Sequence, residues 1–265
     1  MDPSESTTRA EARRRGLKTR LLRLPGQSND EHVRILQDTW TDVLVWPLIF
    51  CILAGVEWIQ WWDSTPPSPW VPSVLAVLSM CYAYWKYRTL RPEIQAYKLG
   101  RDGERLVGEM LDQLRVKGYR VFHDVVGEGF NIDHVIVGPA GVFTIETKTR
   151  SKPSQGNSRV IYDGKTVRIG NGVPTDAPLN QARAQARWLT DFINDGCSRK
   201  FGVRPVLVFP EWYVEQIGAW RESGLWVLNP KGLDDFLDHE SQILTNQQVD
   251  FVASILTRHC RQLAA

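Results

Sequence analysis

Asp133, Glu146 and Lys148 are the residues whose types and spacing could do chemistry. They lie in Asn131-Ile-Asp-His-Val-Ile-Val-Gly-Pro-Ala-Gly-Val-Phe-Thr-Ile-Glu-Thr-Lys148. The stretch reads as two β-rich runs, Asn131–Val137 and Val142–Lys148, joined by the turn Gly138-Pro139-Ala140-Gly141. Side chains alternate along a strand, so Glu146 and Lys148 share a face with Val142 and Thr144. A symmetric turn sets Val137 opposite Val142, Val135 opposite Thr144 and Asp133 opposite Glu146. Opposed residues on one face have Cβ atoms roughly 4.5–5.5 Å apart. Carboxylates that close repel unless a cation lies between them, and hard oxygen donors suit Mg²⁺, with Mn²⁺ as a substitute.

The elements that must hold this pair follow from the flanking sequence. Gln95–Lys117 has helical periodicity, with Val107, Met110, Leu111 and Leu114 on its apolar face and Gly118 as its stop. Glu104 falls on that same face, three residues before Val107. Taken alone it reads as a helix-surface charge; beside Asp133 and Glu146 it reads as a partner of the same cation. Tyr119–Val126 reads as a strand. Val160–Tyr162 and Thr166–Ile169 form a second hairpin around Asp163-Gly164. A helix capped by Thr175 or Asp176, with Pro178 in its first turn, runs to about Asn194. It carries Gln181, Gln185 and Trp188 on one side, with Arg183 and Arg187 placed to meet phosphates. Val203–Phe209 and Leu225–Leu228 read as strands, Pro205 placing its end near a sheet edge. Leu233–Leu237 and Gln247–His259 read as helices. His134 faces away from Asp133 by alternation, and the histidines show no ligand spacing.

Asp133, twelve residues, then Glu146-Thr147-Lys148 resembles the D…(D/E)-x-K signature of restriction-endonuclease-like nucleases. The surroundings resemble one branch, the nuclease-related domain (NERD) family: Gly103-Glu104 on a preceding helix, Ile132-Asp133-His134, Gly138-Pro139-Ala140-Gly141-Val142-Phe143, and Gln181 opening a later helix. The match runs from about Gly100 to about Trp188. The resemblance implies an α/β fold, a restriction-endonuclease-like mixed sheet flanked by helices. It implies a Mg²⁺-dependent phosphodiester hydrolase acting on nucleic acid, DNA ahead of RNA. Asp133, Glu146 and the Thr147 carbonyl would bind the metal, and Glu104 a second metal or a water. Lys148 would orient the attacking water or neutralise charge, and Gln181 would position water or phosphate. The alternative is a module of the same fold that binds nucleic acid, or tethers a complex at a membrane, without cutting.

Charge is unevenly divided. Thr147–Arg204 holds eleven Lys/Arg against four Asp/Glu, a local +7, whereas Pro205 to the end holds four against eight, a local −4. A basic middle beside an acidic centre suits a polyanionic substrate. Cys51, Cys81, Cys197 and Cys260 show no C-x-x-C spacing, which argues against a zinc site or a disulfide framework. There is no internal repeat, Walker loop or G-x-G-x-x-G.

Upstream, residues 1–34 are polar, with Arg13-Arg14-Arg15, Lys18, Arg20 and Arg23, and the first dozen residues read as disordered. That cluster either binds nucleic acid or flanks a membrane span. From Ile35 to Trp85 there is no Lys or Arg, and the apolar runs Thr41–Trp62 and Trp70–Trp85 lie in that gap. A spanning helix needs about 20 residues; the second run reaches that length only with a snorkelling Lys86 and Tyr87. Tryptophans gather at the run ends, and Pro47 and Pro72 are read near helix starts, where proline is tolerated. The expected division is a basic segment 1–39, a two-helix transmembrane hairpin 40–87 and the nuclease-like domain 88–265, with Tyr87–Ile94 as a link. Cationic flanks place both termini and the catalytic domain in the cytoplasm, at the inner (plasma) membrane. A buried hairpin in a soluble protein and a re-entrant one are the alternatives. The lipid bilayer is thus an expected partner; protein partners and homo-oligomerisation stay open.

Overall fold

A computed structural model describes residues 22–62, 68–152, 158–195 and 199–263. The Arg13–Arg20 cluster, much of the expected loop 151–157 and Cys197 fall outside the described residues.

Two long helices come first, α1 (Gln27–Trp62) and α2 (Trp70–Gln113). They lie antiparallel: His32 stacks on Tyr97, Trp40 meets Tyr87, and Trp58 meets Trp70 while its Nε1 donates to Ser73 Oγ at 3.0 Å. Small side chains, Ala54 on α1 and Ala76 and Ala83 on α2, are buried and allow close approach. Two sequence readings change here. Tyr87–Ile94 is not a separate link, because α2 runs through it, Pro92 included. Pro47 is not near a helix start either. Helix α1 begins at Gln27, where its first turn is fixed to the sheet domain, so Pro47 lies well inside it and is buried.

After α2 the chain tightens into a short 3-10 turn, Leu114–Lys117, and stops at Gly118, which takes the left-handed conformation (φ 86°). Strands β1 (Arg120–Val126), β2 (Asn131–Gly138) and β3 (Gly141–Thr147) form an antiparallel meander. The small hairpin β4 (Arg159–Tyr162) and β5 (Val167–Ile169) follows, then α3 (Ala177–Asn194). Next come β6 (Val203–Val208), β7 (Tyr213–Gln216), β8 (Trp226–Leu228), α4 (Leu233–Asp238) and α5 (Asn246–Leu263). The main sheet has five strands in the order β1-β2-β3-β6-β8, with β3, β6 and β8 parallel. A three-stranded sheet, β5-β4-β7, stands beside it, and β7 was not expected from sequence. Pro205 is corrected by this order, since β6 is an interior strand. The missing N–H is tolerated because β8 pairs only from Val206 onwards, so Pro205 has a strand neighbour on the β3 side alone.

Alternation divides the core into layers. Ile136, Phe143, Ile145 and Val206 face Val107 and Leu111 of α2 and Leu233 and Leu237 of α4. Val135, Val137 and Val142 face Leu189 and Ile193 of α3 and Val252 and Leu256 of α5. This is a mixed α/β architecture, a mixed sheet flanked by helices.

Candidate active site

The β2–β3 hairpin has the register its turn implies. Gly138 pairs with Gly141, Val137 with Val142, Val135 with Thr144 and His134 with Ile145. Asp133 and Glu146 are the next residues beyond the last pair of that ladder, and they are close enough to act on each other electrostatically. Asp133 Oδ2 there accepts the Thr147 amide at 2.7 Å. Gly138 owes its identity to packing: a Cβ would come within 2.1 Å of the Tyr119 ring.

Glu146 is buried, and three polar side chains donate to its carboxylate. Its Oε1 accepts from Lys148 Nζ at 2.7 Å and from Gln181 Nε2 at 2.7 Å, and Lys148 Nζ also donates to Gln181 Oε1 at 2.9 Å. Its Oε2 accepts from Gln185 Nε2 at 2.6 Å. Helix α3 therefore supplies two glutamines, one turn apart, to one carboxylate. Gln185 is buried, also donates to the Asn131 carbonyl at 3.0 Å, and leaves its own Oε1 without a partner. Its place one turn after Gln181 was the available sequence signal for this residue.

Glu104 reaches the same centre from α2. The close packing of that helix needs Gly103, where a Cβ would fall 1.7 Å from Thr149 Oγ1. Glu104 is only 8% exposed, and Asn29 Nδ2 of α1 donates to its Oε1 at 2.6 Å. Burial first, then the negative charges of Asp124 and Glu146, push the Glu104 carboxyl up to about 7. Burial, then Glu146 and Glu104, holds Asp133 well above the ordinary carboxylate range against the opposing Thr147 amide and Lys148. The three acids thus act on one another electrostatically.

Five residues singled out from sequence, Glu104, Asp133, Glu146, Lys148 and Gln181, therefore come together. Thr147 joins them through its amide on Asp133, while its Oγ1 is buried without a partner. His134 points to the opposite face, where its Nδ1 lies 2.9 Å from Nδ1 of His123; burial keeps both rings neutral-leaning. Asn29, Asp124, Ser28 and Arg23 were not expected at the site, and their contacts span 75 to 101 residues of sequence.

The donor chemistry suits a hard divalent cation: three mutually repelling carboxylates and an orphaned buried hydroxyl, all oxygen. Among the described residues, no three His, Cys, Asp or Glu side chains already stand as ligands about one point. The Lys148 ammonium and two glutamine amides satisfy Glu146 instead.

The acidic centre on this strand pair, with lysine two residues after the second acid, lies within residues 99–210, which match the nuclease-related domain family (NERD). An uncharacterized protein of Bacillus anthracis is 43% identical over 54 residues, 18% of this chain and 26% of that protein. Among solved structures, SfsA of Pyrococcus furiosus in complex with Ca²⁺ is 15% identical, covering 47% of this chain and 54% of that one at a TM-score of 0.26. The protein VC1899 of Vibrio cholerae is 12% identical, covering 88% of this chain and 58% of that one, also at 0.26. The chain spans about a quarter of the Bacillus protein and little more than half of either solved chain.

Proposed function

We propose that this protein is a metal-dependent nuclease of restriction-endonuclease-like type, held at a membrane by the α1–α2 hairpin. The observation that carries the reading is the convergence of Asp133, Glu146 and Glu104 with Lys148 and Gln181 beside them. Asp133, Glu146, Glu104 and the Thr147 main chain would hold Mg²⁺ or Mn²⁺. Bound there, the cation supplies charge relief at the phosphoryl oxygens. Lys148 has three N–H donors, and Glu146 and Gln181 account for two of them. The third is free to orient a water or to face the charge growing on the phosphate, where a fixed cation acts with little reorganisation. Gln181 is exposed at the mouth of the site and can turn its amide to water or phosphate. Arg183 and Arg187, further along α3, add positive charge to the same helix.

Support for the membrane part is compositional. Helix α1 is long and apolar enough to cross a bilayer, and little of its apolar window is buried. On α2 the residues Trp70, Val71, Val77, Leu78 and Trp85 are also exposed. The hairpin then spans twice, with the nuclease domain and both termini on the cytoplasmic side.

The test is to incubate the detergent-solubilised chain with single- and double-stranded DNA and RNA, in Mg²⁺ or EDTA. Cleavage that needs Mg²⁺ and disappears in Asp133→Ala, with the fold intact, supports the reading. Full activity in Asp133→Ala refutes it. The non-cutting alternative draws on one observation: both oxygens of Glu146 are already occupied by Lys148, Gln181 and Gln185. Under that alternative the wild type and Asp133→Ala bind nucleic acid equally and neither cuts.

A further inference from the structure

The first turn of α1 and the segment before it belong to none of the elements matched to the nuclease-related domain, yet they reach its acidic centre. The seat is Asp124 on β1, only 2% exposed and held at φ +50°, a conformation aspartate tolerates better than most residues. Its carboxylate accepts three hydrogen bonds from this segment: Arg23 Nε at 2.6 Å, the Ser28 amide at 3.0 Å and Ser28 Oγ at 2.6 Å. Asn131, at the start of β2, adds a bond from its Nδ2 to Ser28 Oγ. Asp30 pairs with Arg101 and Arg105 of α2, and Pro25 sits where a side chain at Gly108 would have to go. Fixed on all these sides, α1 presents one more side chain inward. Asn29 Nδ2 donates to Glu104 Oε1 at 2.6 Å.

We infer that Asn29 is a positioning residue for the nuclease centre: it fixes the Glu104 carboxylate for the divalent cation, and the Asp124 seat on Arg23 and Ser28 fixes Asn29. The inference rests on the nuclease reading and extends it, because the site then includes a residue from the helix that also forms the anchor. A neutral amide on one oxygen of a buried carboxylate fixes its orientation and leaves the other oxygen for a ligand. Without the amide, no other hydrogen bond among the described residues holds that oxygen of Glu104 in place. Loss of a group that orients a metal ligand commonly costs roughly 10–100-fold in affinity.

The test uses the full chain in detergent and direct Mn²⁺ binding, read from the electron paramagnetic resonance of free Mn²⁺ without nucleic acid, beside cleavage and thermal unfolding. Asn29→Ala should weaken Mn²⁺ binding about 10-fold and lower cleavage at limiting Mn²⁺ more than at saturating Mn²⁺. Asp124→Asn keeps the backbone preference and should move both readouts in the same direction. In a Glu104→Ala background, Asn29→Ala should change neither further. Wild-type Mn²⁺ affinity in Asn29→Ala, with only a lower unfolding temperature, overturns the inference and leaves the nuclease reading standing. So does an Asn29→Ala effect that persists undiminished without Glu104. A wild-type chain that neither binds Mn²⁺ nor cuts nucleic acid sinks both.

Discussion

Replacing Glu104 by glutamine should stabilise the metal-free protein, by an amount that grows as pH rises from about 4.5 to about 7. In the folded chain, burial and the charges of Asp124 and Glu146 raise the Glu104 carboxyl from an ordinary 4.5 to about 7. Between those values the folded state holds a proton that the unfolded state has released, so stability falls as pH rises through that window. At about 1.4 kcal/mol per pH unit the wild type loses at most about 3 kcal/mol by pH 7. Glutamine carries no proton to lose, and its Oε1 still accepts from Asn29, so the variant avoids that loss. The gain should vanish near pH 4.5, where the wild type is protonated too. For a domain of this size the full difference corresponds to an unfolding temperature roughly 6–12 °C higher. The assay is thermal unfolding by tryptophan fluorescence, in detergent and EDTA, from acid to mildly alkaline pH. Adding Mg²⁺ should narrow the gap by stabilising the wild type more than the variant. A Glu104→Gln protein no more stable than wild type above neutral pH would refute the account of a repelling acidic centre.

Gly103→Ala should destabilise the fold by about 1–3 kcal/mol and depress cleavage, because its methyl would meet Thr149 Oγ1 and push α2 off the site; unfolding and cleavage assays read both. Gln185→Leu leaves Glu146 Oε2 without its buried donor and should cost about 1–3 kcal/mol. Gln181→Ala, at an exposed position, should keep its unfolding temperature and lose less cleavage than Asp133→Ala. In proteoliposomes of a chain lacking its other two cysteines, Cys51 and Cys81, which face outward from the hairpin, should resist a membrane-impermeant maleimide until detergent is added.

The β2–β3 hairpin was legible because two local signals agree. Period-two alternation and a Gly-Pro-Ala-Gly turn admit one register, and that register brings Asp133 towards Glu146. The spacing of Glu104 from Val107 put it on the apolar face, but it and Gln181 were singled out as site residues through the family resemblance. Gln185 carried the signal of a one-turn repeat but looked like any helix glutamine until Glu146 was seen beneath it. Asn29 and Asp124 had no local signal at all. Their roles depend on where α1 lands, and a polar stretch ahead of an apolar run reads as a tail. Strand β7 was missed because Tyr213-Val-Glu-Gln216 shows weak alternation; it pairs only because β4 offers it a parallel edge. Pro205 misled for a related reason: the rule concerns a missing N–H partner, and a short neighbouring strand meets that condition inside a sheet.

The proposed anchor and the candidate site share two helices. A loose tether would leave the nuclease domain indifferent to the apolar runs. Here α2 continues unbroken from Trp70 to Gln113, with exposed apolar side chains towards its start and Glu104 towards its end. Helix α1 repeats the arrangement in reverse, with Asn29 at its base and Trp46, Leu48, Ile52 and Ile59 exposed further along. In water those side chains would form an apolar surface that soluble monomers rarely carry, each giving up about 1.5–3 kcal/mol of available burial. A bilayer removes that cost. The surface it would cover belongs to the same two helices that bring Asn29 and Glu104 together.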